Sequence, residues 1–366
     1  MMVIKMQVFD NDKITTKQTI YLLINATIGV GILMLPHTLA QEAGQNGWML
    51  LITGGLFNFI GSYFVAQLAK KSTSMNALDM SDIFFGKAIS FLIKIFYFLY
   101  FSIITVTVIQ IFSEAINNFL LRHTPKEFVV ICFILISAYL IRVGVEALAR
   151  TCYILTPYWV IPCILIHLLS ISRADFTRLL PLFDIPIEKF FTGSYKVLFS
   201  LVGFEILLLI GPNLKNPNKT VKIVLSSNLF TVIFYIFITI MIFSCLGLEE
   251  AKIFKWPCFE LSKRIIVPGE FLERIDALAI SLWIITVFTT ISSYYFAAST
   301  CLKSLLRLEE LGLSVDMVFP IIFLLSLIPK NMEEIEVWLS FAEMLTLPAC
   351  FIIPFVYYIL LKIKKT

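Results

Sequence analysis

Two short segments carry most of the polar chemistry that this chain places inside apolar runs. The first, Asn25-Ala-Thr27-Ile-Gly29-Val30-Gly31-Ile-Leu-Met-Leu-Pro36, should not form a continuous helix. Each glycine costs roughly 1 kcal/mol against alanine in a helix interior, and Pro36 removes a further backbone donor. An opened backbone survives in lipid only where protein or a watery cavity satisfies it. A helix broken there leaves free N–H groups and a positive helix end, to which a small anion such as an amino-acid carboxylate could bind. Close helix packing through small residues is the alternative use of the same glycines. The second segment, Gly203-Phe204-Glu205, puts a carboxylate near the middle of another apolar run. A carboxylate at a helix centre costs roughly 2.5–3.5 kcal/mol on insertion scales, so Glu205 should face protein or water. It could pair with a ligand ammonium or exchange a proton, or it could cap the N–H groups of its own broken helix.

A third polar group lies on the run that contains Thr286, Thr289, Thr290, Ser293 and Tyr294. At helical spacing Thr286, Thr289, Thr290 and Ser293 share one face, which either back-bonds to its own helix or lines a hydrated cavity. Tyr97 and Tyr100 could wall such a cavity or simply pack. Lys94 is expected to snorkel and Glu114 to be hydrated near a membrane edge.

These residues need a scaffold, and the composition says which kind. The chain has 366 residues, 59% hydrophobic and only 15% charged, with a mean hydropathy of +0.90. That is an all-α integral membrane protein. Apolar runs near 19–40, 47–69, 89–120, 128–142, 153–171, 196–212, 221–247, 273–302, 316–329 and 337–361 predict ten transmembrane helices, with residues 143–152 as a short amphipathic connector. The polar residues 1–18 form an N-terminal segment with no cleavable signal pattern. Lys13, Lys17, Lys70, Lys71, Arg142, Arg150, Lys215, Lys219, Lys303 and Lys362 fall on one side, against Arg122, Lys126 and Lys330 in the short loops opposite. Both termini are therefore expected in the cytoplasm. Five spans per half make the halves inverted, repeat one about 19–171 and repeat two about 196–361, within a single transmembrane domain. The broken first and sixth spans are then counterparts, the best sequence pointer to a central binding site.

Several functions are excluded by what the sequence lacks. No P-loop, nucleophile elbow or HExxH occurs, so an enzyme has no support. The seven cysteines show no CxxC spacing, and neither His37 nor His167 has a histidine or acid three or four residues on, so no metal, cofactor or disulfide framework is implied. Scattered basic residues give no nucleic-acid footprint. Asn25-Ala-Thr27 and Asn218-Lys-Thr220 match a glycosylation pattern by chance.

Gly29-Val30-Gly31 through Pro36, with Gly203-Phe204-Glu205, resembles the amino acid–polyamine–organocation permeases. Trp256-Pro257, followed by Phe271-Leu-Glu-Arg274-Ile-Asp276-Ala-Leu278, narrows the resemblance to the spore germination permeases, the B subunits of nutrient germinant receptors. The resemblance spans essentially the whole chain. It implies two inverted five-helix repeats with broken helices one and six. It also implies an inner-membrane protein of the spore that senses a small-molecule germinant, commonly an amino acid, beside A-type and C-type subunits. Thr27, Gly29, Val30 and Gly31 would cradle a carboxylate, Gly203, Phe204 and Glu205 would close over the ligand, and Thr290 and Tyr294 would contribute from span eight. Span five has no lysine, so the resemblance leaves ion coupling open. An amino-acid symporter, or more remotely a passive channel, would share the same fold and site.

Overall fold

The structure is a computed structural model that describes residues 12–29, 31–265 and 275–363. Val30 and the Phe271–Arg274 part of the outer-loop motif lie outside the described residues. Helices account for nearly all of the described chain; no strand forms among those residues, only a bridge between Ile14 and Leu214.

Six helices are long and apolar enough to cross a membrane singly: α3 (Trp48–Lys71), α5 (Lys87–Phe119), α7 (Val145–Leu169), α10 (Thr220–Leu246), α13 (Ile275–Leu306) and the continuous run of α15 (Met332–Leu347) through a π turn into α16 (Ile353–Ile363). Two further spans are broken. α1 (Thr16–Thr27) and α2 (Gly31–Ala43) meet at 56°, and α8 (Ile187–Leu201) meets the inner segment that contains α9 (Leu207–Ile210) at 52°. The predicted fourth and ninth spans are the shorter helices α6 (Lys126–Arg142) and α14 (Leu311–Ser326). Three small helices fill connections: α4 (Ala77–Phe85), α11 (Leu248–Ile253) and α12 (Pro257–Lys263).

Local chemistry explains most boundaries. Thr15 and Gln18 form a reciprocal capping box at the start of α1. Gly144, at φ +115°, separates α6 from α7. The connector expected over residues 143–152 is instead the first turns of α7. The exposed Arg150 pairs at 2.5 Å with the mostly covered Glu146, while Leu148, Ala149 and Cys152 are buried. Its amphipathic pattern belongs to a helix end resting on the bundle. The sixth span likewise begins at Ile187, nine residues before its apolar run. Lys94 does not snorkel. It is only 5% exposed and sits 3.1 Å from Asp82 and 3.7 Å from Asp79, both on α4. Glu114 pairs with Lys126 across the opposite end of α5.

The buried core is built around α13 and α5, with α7 and α1 packed on α13, α10 on α1, and α3 on α10. On the face that carries the N-terminal segment, that segment is tied to the bundle. Ile14 N–H donates to Asn213 O at 2.8 Å, Lys215 N–H to Ile14 O at 3.0 Å, and Glu146 N–H to the Asp12 carboxylate at 3.0 Å.

Candidate functional site

The first break frees backbone carbonyls at the end of α1, since a helix terminus leaves its last groups without intrahelical partners. Side chains from two neighbouring helices take them up. Thr290 Oγ1 donates to Asn25 O at 2.6 Å, Tyr235 OH to Thr27 O at 3.3 Å, and Trp283 Nε1 to Gly29 O at 3.2 Å. Ile28 at φ −86°, ψ 79° turns the chain out of the helix. No hydrogen bond among the described residues caps the N–H groups of Gly31, Ile32 and Leu33 at the start of α2.

The second break turns on Gly203, whose φ of +139° suits glycine alone. Glu205, fully buried, folds back over it. Its Oε2 accepts from Gly203 N–H at 2.7 Å, and its Oε1 accepts from Tyr100 OH at 3.1 Å and Tyr294 OH at 3.4 Å. The Tyr100 hydroxyl also lies 3.4 Å from Cys350 Sγ. The carboxylate therefore caps its own break and ties the sixth span to the third and eighth. Phe204 is buried with its ring 6.3 Å from Phe351 in edge contact.

Gly29 and Gly31 have different surroundings. A β-carbon on Gly29 would fall 2.7 Å from Thr290, so this glycine is a close-packing position. A β-carbon on Gly31 would meet the Tyr235 hydroxyl at 3.3 Å and Ser200 at 3.4 Å, and Gly31 is only half-buried. Thr27 stands between the breaks, within reach of Gly203. Of the remaining expected residues, Tyr97 donates to Ala349 O at 2.6 Å, where a π turn at Pro348–Ile352 opens the tenth span. Ser293 back-bonds to Thr289 O at 2.7 Å. The structure thus brings Thr27, Gly203, Glu205, Tyr100, Tyr294 and Thr290 around the two breaks and turns Tyr97 and Ser293 to backbone partners.

One residue central to this arrangement was passed over in the sequence. Asn25 is fully buried and binds groups on three helices, its own included, through one amide. Its Nδ2 donates to Thr156 Oγ1 at 2.6 Å and Tyr21 O at 2.8 Å; its Oδ1 accepts from Trp159 Nε1 at 3.1 Å and Thr289 Oγ1 at 3.0 Å. The available signal was an asparagine inside an apolar span, where a polar amide must find partners. The charge-neutral cluster locks span one against spans five and eight.

The outer-loop motif has a structural role here. Pro257 starts α12 at its first turn, and α12 packs on α2 and α13. Phe259 lies 4.8 Å from the Trp283 ring and 5.0 Å from Phe119, and Cys258 Sγ reaches Ile32 O at 3.4 Å. The motif is a plug over the far end of the first break.

Comparison with known proteins agrees with this architecture. The chain is similar to Spore germination protein YndE of Bacillus subtilis (strain 168), 26% identical over 324 residues that cover 88% of this chain and 89% of that one. It is similar to Spore germination protein B2 of the same organism, 25% identical over 360 residues, 96% of this chain and 97% of the other. The structure of MhsT in complex with L-phenylalanine superimposes with a TM-score of 0.65 over 94% of this chain and 87% of that one, at 14% identity, which shows a shared fold. It is a multi-pass membrane protein and not an enzyme. The pattern of the spore germination protein family matches residues 13–335, and with the paired breaks and the Trp256-Pro257 plug in place, this chain belongs to the spore germination permease family.

Proposed function

We propose that this protein is the B subunit of a nutrient germinant receptor, binding a small molecule, with an amino acid favoured, between its two broken helices. The observation that carries the reading is the meeting of the breaks at Thr27 and Gly203, with the start of α2, whose first N–H groups find no cap among the described residues, on one side and the Glu205 carboxylate on the other. Backbone N–H groups at a helix start suit a carboxylate, and a buried carboxylate suits an ammonium. Thr27, Gly29, Val30 and Gly31 would hold the carboxylate end; Gly203, Phe204 and Glu205, with Thr290 and Tyr294, would close around the rest. Tyr97, Tyr100 and Ser293 would wall the cavity that opens. Because Gly29 and Gly203 are tightly packed in the present arrangement, ligand would act by favouring an opened one, to the extent of its differential affinity for the two. The reading places both termini in the cytoplasm, the protein in the inner membrane of the spore, and A-type and C-type receptor subunits as the partners that read the shift. Repeats of about 19–171 and 196–361 would move as one transmembrane domain.

The test is calorimetric titration of the reconstituted protein with a panel of amino acids, sugars and nucleosides, repeated on Gly31→Leu. An amino acid that binds the natural protein and not the variant supports the cradle; an unchanged isotherm in Gly31→Leu overturns it. Saturable, gradient-driven uptake of the same amino acid into proteoliposomes would assign the site to a symporter instead of a sensor.

A further inference from the structure

On the face that carries the N-terminal segment, Asp12, Lys13 and Ile14 form a strap across the ends of the two broken spans and span five. Ile14 is fully buried beside Leu214, donating its N–H to Asn213 O at 2.8 Å and accepting from Lys215 N–H at 3.0 Å. Lys13 Nζ donates to Pro212 O at 2.5 Å, and Asn213 Nδ2 donates to Asp12 O at 2.9 Å and to the Asp12 carboxylate at 3.2 Å. The strap then runs directly into α1 through the Thr15 capping box. Asp12 adds span five. The N-cap of α7 is Gly144, which has no side chain to satisfy the free N–H groups of the first turn. The Asp12 carboxylate takes that place and accepts from Glu146 N–H at 3.0 Å. A β-carbon on Gly144 would lie 3.0 Å from Asp12 Oδ1, so the glycine leaves room for the carboxylate. An anion there also meets the positive end of the helix dipole.

The same two broken spans touch at their other ends, where Gly203 packs on Thr27. α1 and the Phe204–Asn213 half of the sixth span are thus joined at both ends. α1 is likewise pinned to span five at both ends, by Asp12 at Glu146 and by Asn25 at Thr156 and Trp159. Asp12 holds its position at φ +43°, a left-handed conformation that aspartate enters more readily than most residues but at a cost. Such strain persists only where surrounding contacts over-determine it, and it gathers at switch regions. We infer that residues 12–14 are a latch that makes α1 and the Phe204–Asn213 half of the sixth span a single block docked on span five, and that its release frees both together. Asp12 and Asn213 are the positioning residues of this latch, because they share the one carboxylate that reaches all three spans. The inference does not depend on what the central site binds.

The experiment is hydrogen–deuterium exchange, read by mass spectrometry, on the full chain in lipid nanodiscs without ligand. The natural protein is compared with Asp12→Ala, Asp12→Asn and Asn213→Ala. Asp12→Ala is expected to speed exchange at least about tenfold at the start of α7, through α1 and over Phe204–Asn213 together, since bonds to a charged group are lost and the block opens as one unit. Lys215 N–H should follow, although its own acceptor, Ile14 O, is untouched. Asp12→Asn keeps an acceptor oxygen for Glu146 N–H and should restore most of the protection. Asn213→Ala should speed exchange at the start of α7, where its influence runs through Asp12. A rise confined to the bonds that each substitution removes, or a rise in α1 without one over Phe204–Asn213, would overturn the proposal. Asn213→Ala alone decides the matter where Asp12→Ala does not fold.

Discussion

Gly203 and Thr27, one from each broken helix, are in direct contact: a β-carbon on Gly203 would lie 2.6 Å from Thr27 Oγ1 and 2.9 Å from its backbone nitrogen. The two halves of the protein therefore meet backbone to backbone at their matching weak points, and neither break can be relaxed without moving the other.

Gly203→Ala is accordingly expected to destabilise the protein by about 2 kcal/mol or more, combining a disfavoured positive φ with overpacking. A melting curve of the purified variant within 1–2 °C of the natural protein, on the order of the scatter for a neutral change, would contradict this. Gly86, also at positive φ but with open space around it, should lose less on the same replacement and serves as the control.

Asn25 predicts a second cost. Replacement by leucine strands the buried Trp159 N–H, while Thr289 and Thr156 keep the carbonyls of Thr286 and Cys152 as acceptors, with about 2–4 kcal/mol lost in total. Hydrogen exchange should also quicken across α1 first, because that helix loses its ties to spans five and eight. Thr290→Val removes one bond, to Asn25 O, and should cost no more than about 1–2 kcal/mol. A larger loss for Thr290→Val than for Asn25→Leu would reverse this ranking.

Glu205→Gln keeps the side chain's shape but sets an amide NH₂ against donors. One of the three groups now pointing at the carboxylate, Gly203 N–H, Tyr100 OH and Tyr294 OH, must then rearrange. The expected result is a loss of about 1–3 kcal/mol and a failed germination response. A lowered melting temperature with a normal dose–response would confine Glu205 to capping its helix.

The α4–α5 corner gives the pH dependence. At Asp82 burial raises the carboxyl's pKa, yet the hydrogen bond from Ser90 and the bond and charge of Lys94 outweigh it, and the net direction is below the ordinary carboxylate value. A depressed folded-state pKa contributes stability that is present above the unfolded pKa, about 3.9, and is lost as pH falls through the folded value. Melting temperature should therefore drop as pH falls below about 4, and Asp82→Asn should flatten that part of the profile. An acid limb of the same steepness in the variant would place the sensitivity elsewhere.

Much of the fold is legible along the chain. The broken spans announce themselves through Gly29, Gly31, Pro36 and Gly203, whose effects on a helix are local. Apolar runs locate the spans because lipid demands them. The misreadings came where burial by protein replaced burial by lipid. Residues 145–152 look like a connector because Glu146 and Arg150 interrupt the apolar pattern, although Arg150 alone is exposed and the bundle covers most of Glu146. Lys94 looks like a snorkelling residue until α4 folds back with Asp79 and Asp82.

Membrane class, helical architecture, the positions of the two breaks and the family resemblance were thus determined by sequence alone, since each rests on residue type and near-neighbour spacing. Tertiary structure decided what the freed groups do. Asn25 finds Thr156 and Trp159 more than a hundred residues away, Glu205 finds Tyr100 and Tyr294 on two other helices, and His167 turns its Nδ1 to Cys163 O of its own helix. Those outcomes depend on the rotation and register of helices packed against one another, which many distant contacts set together and no local pattern encodes.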